Sequence, residues 1–300
     1  MSLLLPEGLT LRRATGADAE IIARIVAADE RAIRGHADVE PAVAADWLRL
    51  AELKGEAWLV EDPGGEPSAF ALVLVDAALA DAWVNADAPV YGSLVELTER
   101  VARDRGATTM RQGAYAEAAA RRADLEDRGY RVVRHFWRMQ IVLDGPPREP
   151  EWPAGAEVST LTRADARAFY DAIQEAFADE WGSHPMPFDE WVRFRFEAPD
   201  ADLTLWFLVR DGGEVAAVLR GDANRFGGGW IGMLGVRKPW RRRGIGRALL
   251  QHAFCEFYRR GERRVSLGVD AENAAGATRL YERAGMHVRH EDLVYEKELD

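Results

Sequence analysis

Cysteine is nearly absent: Cys255 is the one cysteine in 300 residues, so no disulfide can form within the chain and a reducing compartment fits. Lysine is almost as scarce, occurring only at Lys54, Lys238 and Lys297 against abundant arginine and alanine, a bias typical of GC-rich bacterial coding. No apolar run is long enough to span a bilayer, since the stretch 69–75 stops at Asp76, and the start of the chain lacks the basic residues that open a signal peptide. The six histidines are scattered without metal-ligand spacing, so no metal is expected. A net charge of -11 argues against wholesale binding to nucleic acid or an anionic membrane, both of which select for a positive surface. These absences leave a bacterial, cytoplasmic protein as the expectation, with small or cationic partners still open.

What is present is an ordinary folded composition, 48% hydrophobic and 30% charged, with enough length for two cores. Pro146, Pro147, Pro150 and Pro153 crowd a segment that resists both helix and central strand, which places a boundary between domains at 1–145 and 156–300. The halves carry similar devices. Thr15-Gly16-Ala17-Asp18 and Thr162-Arg163-Ala164-Asp165 each read as a capping box ahead of an apolar helical pattern. Residues 125–132 can be laid on 281–288, where a helix stops at Gly129 or Gly285 and a strand follows. An internal duplication explains both. Each half reads as an α/β domain with a mixed, mostly antiparallel sheet flanked by helices. The clearest elements are strands at 230–236, 264–269 and 293–299 and helices at 244–260 and 275–284, whereas 177–199 is aromatic and turn-rich.

One segment carries most of the chemistry. From 223 to 255 there is no acidic residue, yet Arg225, Arg237, Lys238, Arg241, Arg242, Arg243 and Arg247 all fall there. Its centre runs from an apolar strand through a turn into an amphipathic helix, with Gly244 and Gly246 at the entry. Glycines let a ligand approach the backbone, and the free amides of a helix start favour anions, which is how a pyrophosphate is held without a metal. No Gly-Lys-Ser/Thr follows, which excludes a Walker A loop, and Leu249 occupies the third glycine position of the dinucleotide fingerprint. A compact glycine turn suits one small polyanion better than a nucleic-acid polymer.

Arg241, Gly244 and Gly246 match the Arg/Gln-x-x-Gly-x-Gly/Ala motif, and with Leu234-Gly235-Val236, Pro239, Asn273 and the run 280–285 the last 75 or so residues resemble the GCN5-related N-acetyltransferase (GNAT) superfamily. The two-half layout is similar to tandem-domain members such as mycothiol synthase. The resemblance implies acetyl-coenzyme A bound where two strands splay apart. Leu234 and Val236 would contact the pantetheine arm, and the amides of Arg241, Arg242, Arg243, Gly244, Ile245, Gly246 and Arg247 would wrap the pyrophosphate. Asn273 would touch the cofactor arm, and Tyr281 would protonate the departing thiolate, a role suited to a phenol whose ordinary pKa is about 10. Asn273 and Tyr281 stand one residue further apart than the family's usual spacing, so either the connection is longer or Ala274 holds the usual position.

The strand 230–236 offers no carboxylate as a base. Asp179, Glu180, His184, Asp222 and Asp270 are candidates, each more often a solvated or capping residue, and a water relay is the alternative. Cys255 reads as a buried, inert thiol, His135, His287 and His290 as surface histidines, and Trp181, Phe188, Trp191 and Phe194 as either pocket wall or core. The first half lacks the chemistry: its turn, 87–93, has one glycine, no arginine and Asp87, and Leu125 stands opposite Tyr281. It reads as a degenerate copy. The expected activity is direct transfer of acetyl from acetyl-coenzyme A to a primary amine of a small molecule or peptide in a ternary complex. The alternative is a non-catalytic acyl-coenzyme A sensor or partner-binding module.

Overall fold

The computed structural model describes residues 5–183, 185–273 and 276–300. The first half folds as β1 (Thr10–Arg13), α1 (Ala19–Arg34), α2 (Pro41–Lys54), β2 (Gly55–Glu61), β3 (Pro67–Asp76), β4 (Leu79–Asn85), α3 (Ala88–Asp104), β5 (Thr109–Tyr115), α4 (Ala119–Asp127) and β6 (Arg131–Val142). The second follows as β7 (Ala156–Thr160), α5 (Ala166–Phe177), α6 (Phe188–Trp191), β8 (Trp206–Asp211), β9 (Glu214–Asp222), β10 (Gly229–Val236), α7 (Ile245–Arg259), β11 (Arg264–Asp270), α8 (Ala277–Arg283) and β12 (His287–Glu298). The last strand is longer than its sequence pattern suggested.

The chain divides into two compact units that are not the two halves of the sequence. Unit 1 holds the chain up to Trp137 with Asp270–Glu272 and His290–Asp300, and unit 2 holds Arg138–Val269 and Asn273–Arg289. Residues 290–300 count with unit 1 because β12 pairs antiparallel with β5, from Asp292↔Tyr115 to Glu298↔Thr109. The proline-rich segment therefore lies within unit 2. Its prolines mark where strand and helix stop, which is a weaker signal than strand pairing about where a core ends.

Both units repeat one topology. In unit 1, β1, β2, β3 and β4 pair antiparallel in sequence order and β4 pairs parallel with β5. In unit 2, β7, β8, β9 and β10 do the same and β10 pairs parallel with β11. A parallel pair needs a crossover, and α3 and α7 supply it. The capping boxes recur too: the Asp18 carboxylate accepts from the Thr15 backbone N–H at 2.8 Å and hydroxyl at 3.0 Å, and Asp165 accepts from the same groups of Thr162 at 3.2 and 2.5 Å. Arg12 donates to Asp18 as well, and those bonds hold its carboxyl down at about 2.

Strand alternation assigns each core. In β8, Trp206 stacks on Phe169 of α5 with ring centroids 5.5 Å apart, while its neighbour Phe207 meets His252 of α7 edge-on at 4.7 Å, so successive residues face opposite helical layers. Trp191 and Phe194 are buried, and Trp191 stacks against Phe169 and Phe188. The aromatic segment is thus chiefly core. In unit 1, α1 and α2 bury Ile22, Val26, Ala44 and Leu48 against Leu59, Phe70 and Leu72, and α3 buries Val90, Leu94 and Val95 against Trp58, Ala71 and Met110 on strands.

Candidate functional site

Strand register creates an opening in unit 2. The parallel ladder of β10 and β11 runs Gly229↔Val265, Trp230↔Ser266, Ile231↔Leu267 and ends there, while β10 stays paired with β9 as far as Val236↔Ala217. The edge of β10 from Met233 to Val236 is therefore left without a β11 partner, and its amides can pair with a ligand. A bulge between Ile231 and Met233 falls at the point of separation. Gly232 permits it, because a Cβ there would sit 2.3 Å from the Arg220 guanidinium. Leu234 and Val236 are half-buried and border the opening.

The turn after β10 is shaped by its arginines and glycines. Arg241 donates from Nε to the Val236 carbonyl at 3.0 Å and from Nη2 to the Ala176 carbonyl at 3.0 Å, tying the strand end to the end of α5. Its side chain is a brace, so a phosphate would meet its backbone. Arg242 and Gly244 both adopt left-handed backbone, φ 63° and 88°, and Gly244 is the N-cap of α7. The amides of Ile245, Gly246 and Arg247 have no intrahelical acceptor, and the ladder begins with Ala248 N–H to the Gly244 carbonyl at 3.1 Å. Gly246 lets the helix pack closely: a Cβ would lie 3.3 Å from Val236 Cγ2 and 3.4 Å from Leu280 Cδ2. The Ile245 side chain is buried, leaving only its amide for a ligand.

The basic island is mostly neutralised from within unit 2. Arg225 pairs with Asp200, Arg237 with Glu175 and Glu214, Lys238 with Asp179 and Arg243 with Asp211. Among the described residues, exposed Arg242 and Arg247, flanking Gly244 and Gly246, have no ion-pair partner. The acids paired with Arg225, Arg237, Lys238 and Arg243 come from distant segments, which is why the sequence reads as uniformly basic. Two free cations beside a helix start fit one pyrophosphate.

Asn273, Glu180 and Tyr281 converge in the same unit. Asn273 donates from Nδ2 to both Glu180 oxygens at 2.9 and 2.8 Å, and its Oδ1 accepts from Ala277 N–H at 3.4 Å at the start of α8. Tyr281 is buried, and burial first, then the Glu180 charge, raises its pKa well above the ordinary phenol value. The link from Asn273 to Glu180 bridges 93 residues and is invisible in the sequence. The other base candidates are otherwise occupied: Asp179 by Lys238, Asp222 by Arg220 at 3.2 Å, and Asp270, which accepts from Glu272 N–H at 2.8 Å, counts with unit 1. His184 and Ala274 lie outside the described residues, as do residues 1–4 at the start of the chain. Cys255 is buried with its thiol raised by that burial, and Sγ faces the Arg148 carbonyl at 3.5 Å. His290, expected at the surface, is buried against unit 1.

The corresponding place in unit 1 is built differently: a cavity of about 370 Å³ lies at the end of β4, lined by Asp29, Asn85, Ala86 and Asp87, with no glycine turn or free arginine pair like that of unit 2 among the described residues. The β4–β5 ladder also ends early, at Ala82↔Gln112, but only Ala86 and Asp87 connect β4 to α3. Arg121 of α4 donates to both Asp29 oxygens and, at 2.8 Å, to the Ala86 carbonyl, and Asn85 donates to Asp29 at 2.8 Å. A Cβ on Gly113 would lie 2.6 Å from the Trp83 ring, which is exposed, and Leu125 is fully buried.

Comparison with known proteins agrees with this geometry. The model of the acetyltransferase (GNAT) family matches residues 166–286, which contain α5 through α8. A solved GCN5-related N-acetyltransferase from Sphaerobacter thermophilus superposes with a TM-score of 0.79 at 38% identity, covering 99% of this chain and 97% of that one. Mycothiol acetyltransferase from Thermobispora bispora is 31% identical over 178 residues, but the match spans 59% of that relative and 56% of this chain. The [ribosomal protein bS18]-alanine N-acetyltransferase of Escherichia coli is 30% identical over 135 residues, covering 80% of that protein and 43% of this chain. Family model, full-length structural match and site geometry converge, and the chain belongs to the GCN5-related N-acetyltransferase (GNAT) family.

Proposed function

We propose that unit 2 transfers acetyl from acetyl-coenzyme A directly to a primary amine, and that unit 1 binds no second acetyl-coenzyme A. The convergence of Asn273, Glu180 and Tyr281 in the same unit as the glycine turn carries this reading. The amides of 244–247 with Arg242 and Arg247 take the pyrophosphate, and the open edge of β10 takes the pantetheine amides and polarises the thioester carbonyl. The neutral amine attacks that carbonyl carbon, the C–S bond breaks, and the electron pair leaves on sulfur. Tyr281 supports the thiolate. A buried phenol above its ordinary pKa stays protonated at any working pH, so it stabilises the charge chiefly as a hydrogen-bond donor; full transfer to a less basic thiolate runs uphill.

Glu180 is the acceptor-side group of this proposal. Its carboxylate, fixed by Asn273, attracts the substrate ammonium and takes up the proton that the amine must lose, directly or through a water. Glu180→Gln keeps one of the two Asn273 contacts, through its amide oxygen, and removes the charge. It is expected to lower kcat/KM for the amine about 100-fold with acetyl-coenzyme A affinity within about twofold, measured by steady-state kinetics beside calorimetry. The activity itself is tested by incubating labelled acetyl-coenzyme A with a panel of small cationic amines and peptides with free amino termini. Label transfer to at least one supports the enzyme; stoichiometric binding with no transfer across both classes supports the sensor.

A further inference from the structure

Outside that site, unit 1 gathers a second set of chemistry-bearing residues. His36 and Asp38 sit in the loop between α1 and α2, and His290 lies on β12, so the three come from places 254 residues apart in sequence. One ligating atom from each lies within 4.8 Å of the others. His36 Nε2 stands 3.7 Å from Asp38 Oδ2, and the two imidazole centroids are 6.1 Å apart with planes inclined at 48°.

The loop is built to present these atoms. Gly35 ends α1 in left-handed backbone, φ 76°, with its N–H on the Arg31 carbonyl at 2.9 Å. Buried Glu30 then fixes the next turn, its Oε2 accepting from Asp38 N–H at 2.9 Å and Val39 N–H at 3.3 Å while Oε1 takes Arg34 at 2.9 Å. His36 Nδ1 is 3.1 Å from the Arg34 carbonyl. A carbonyl can only accept, so Nδ1 carries a proton, and in the neutral ring the lone pair falls on Nε2, the atom directed toward Asp38. A ring nitrogen donating to a backbone carbonyl while the other faces a carboxylate and a second imidazole is the outer-shell arrangement that orients a metal-bound histidine.

We infer that His36, Asp38 and His290 form a binding site for a divalent first-row transition metal ion of the zinc class. Two imidazoles and one carboxylate favour such an ion over calcium or magnesium, which take oxygen ligands. With metal–ligand bonds of about 2.1 Å, tetrahedral ligands stand about 3.4 Å apart, so the set, within 4.8 Å as it stands, must contract by up to about 1.4 Å. His36 supplies this movement, because its side chain is one-third exposed whereas His290 is buried. Three protein ligands leave a fourth position for water or an exogenous group. The site lies wholly in unit 1 and does not depend on the acetyl-transfer reading of unit 2.

The test uses the full chain without a histidine tag, stripped with chelator and titrated with zinc by calorimetry and with cobalt(II) by visible absorption. One equivalent of zinc is expected, with a cobalt d–d band between tetrahedral and five-coordinate intensity. His36→Ala and Asp38→Asn, both at partly exposed positions, are expected to weaken zinc binding at least about 100-fold while the metal-free thermal transition stays put. His290→Gln is a third variant, informative where its metal-free fold is intact. Zinc bound at well below one equivalent, or at full strength in both His36→Ala and Asp38→Asn, overturns the site and leaves a histidine–aspartate ion pair in its place.

Discussion

Acetyl-coenzyme A affinity is expected to fall at least about 100-fold in Gly244→Glu. The residue has φ 88° and opens α7, so the substitution puts a carboxylate at the amides that receive the pyrophosphate, between Arg242 and Arg247. A hundredfold loss is about 2.7 kcal/mol, within reach of one like charge at about 4 Å in a partly shielded site. Any side chain at left-handed backbone also costs roughly 1–2 kcal/mol of folding stability, and a control must separate the two effects. Gly261→Glu provides it: φ there is 91°, the space around a Cβ is open, and the position lies past the far end of α7, about 22 Å along the helix. Both variants should lose similar stability in thermal melts, and only Gly244→Glu should lose the ligand.

Tyr281→Phe should lower kcat about 100-fold and leave acetyl-coenzyme A binding within about twofold. The ring is packed in the core, so its apolar contacts survive the change and only the hydroxyl is lost. With the phenol held above its ordinary pKa by burial and by Glu180, kcat should show no loss on the alkaline side up to about pH 10 that depends on Tyr281. Single-turnover kinetics separates chemistry from product release. A variant that transfers acetyl at the parent rate removes the hydroxyl from the mechanism.

The strand, turn and helix start of the proposed donor side were legible in the sequence because one continuous stretch builds them. Strand, turn, Gly244, Gly246 and helix follow one another in 229–259, and local rules of backbone freedom and helix starts are enough to read them. The acceptor side was not legible to the same degree. Glu180 was one of five base candidates in the sequence, and only the fold brings it onto Asn273, with its charge felt at Tyr281. Charge misled in the opposite direction. The arginine-rich run reads as a basic patch, yet Asp179, Glu175, Asp211 and Asp200 quench it, and only Arg242 and Arg247 among the described residues keep their charge for a ligand.

The duplication was visible in capping boxes and helix–glycine–strand junctions, and strand order repeats it. The division of the chain was not, because residues 290–300 join unit 1 through pairing of β12 with β5 at a separation of about 180 residues, for which no local sequence signal exists. The first copy lacks the glycines and arginines of the second, and that difference was legible in the sequence. How the end of β4 is tied, by Arg121 on Asp29 and the Ala86 carbonyl, needed the packing.

The most direct test of this reading is calorimetric titration of the full chain with acetyl-coenzyme A. One site per chain, lost in Gly244→Glu and kept in Gly261→Glu, is the expected result; two sites per chain would contradict the proposal that unit 1 binds no acetyl-coenzyme A, and no binding at all would contradict the proposed donor site in unit 2.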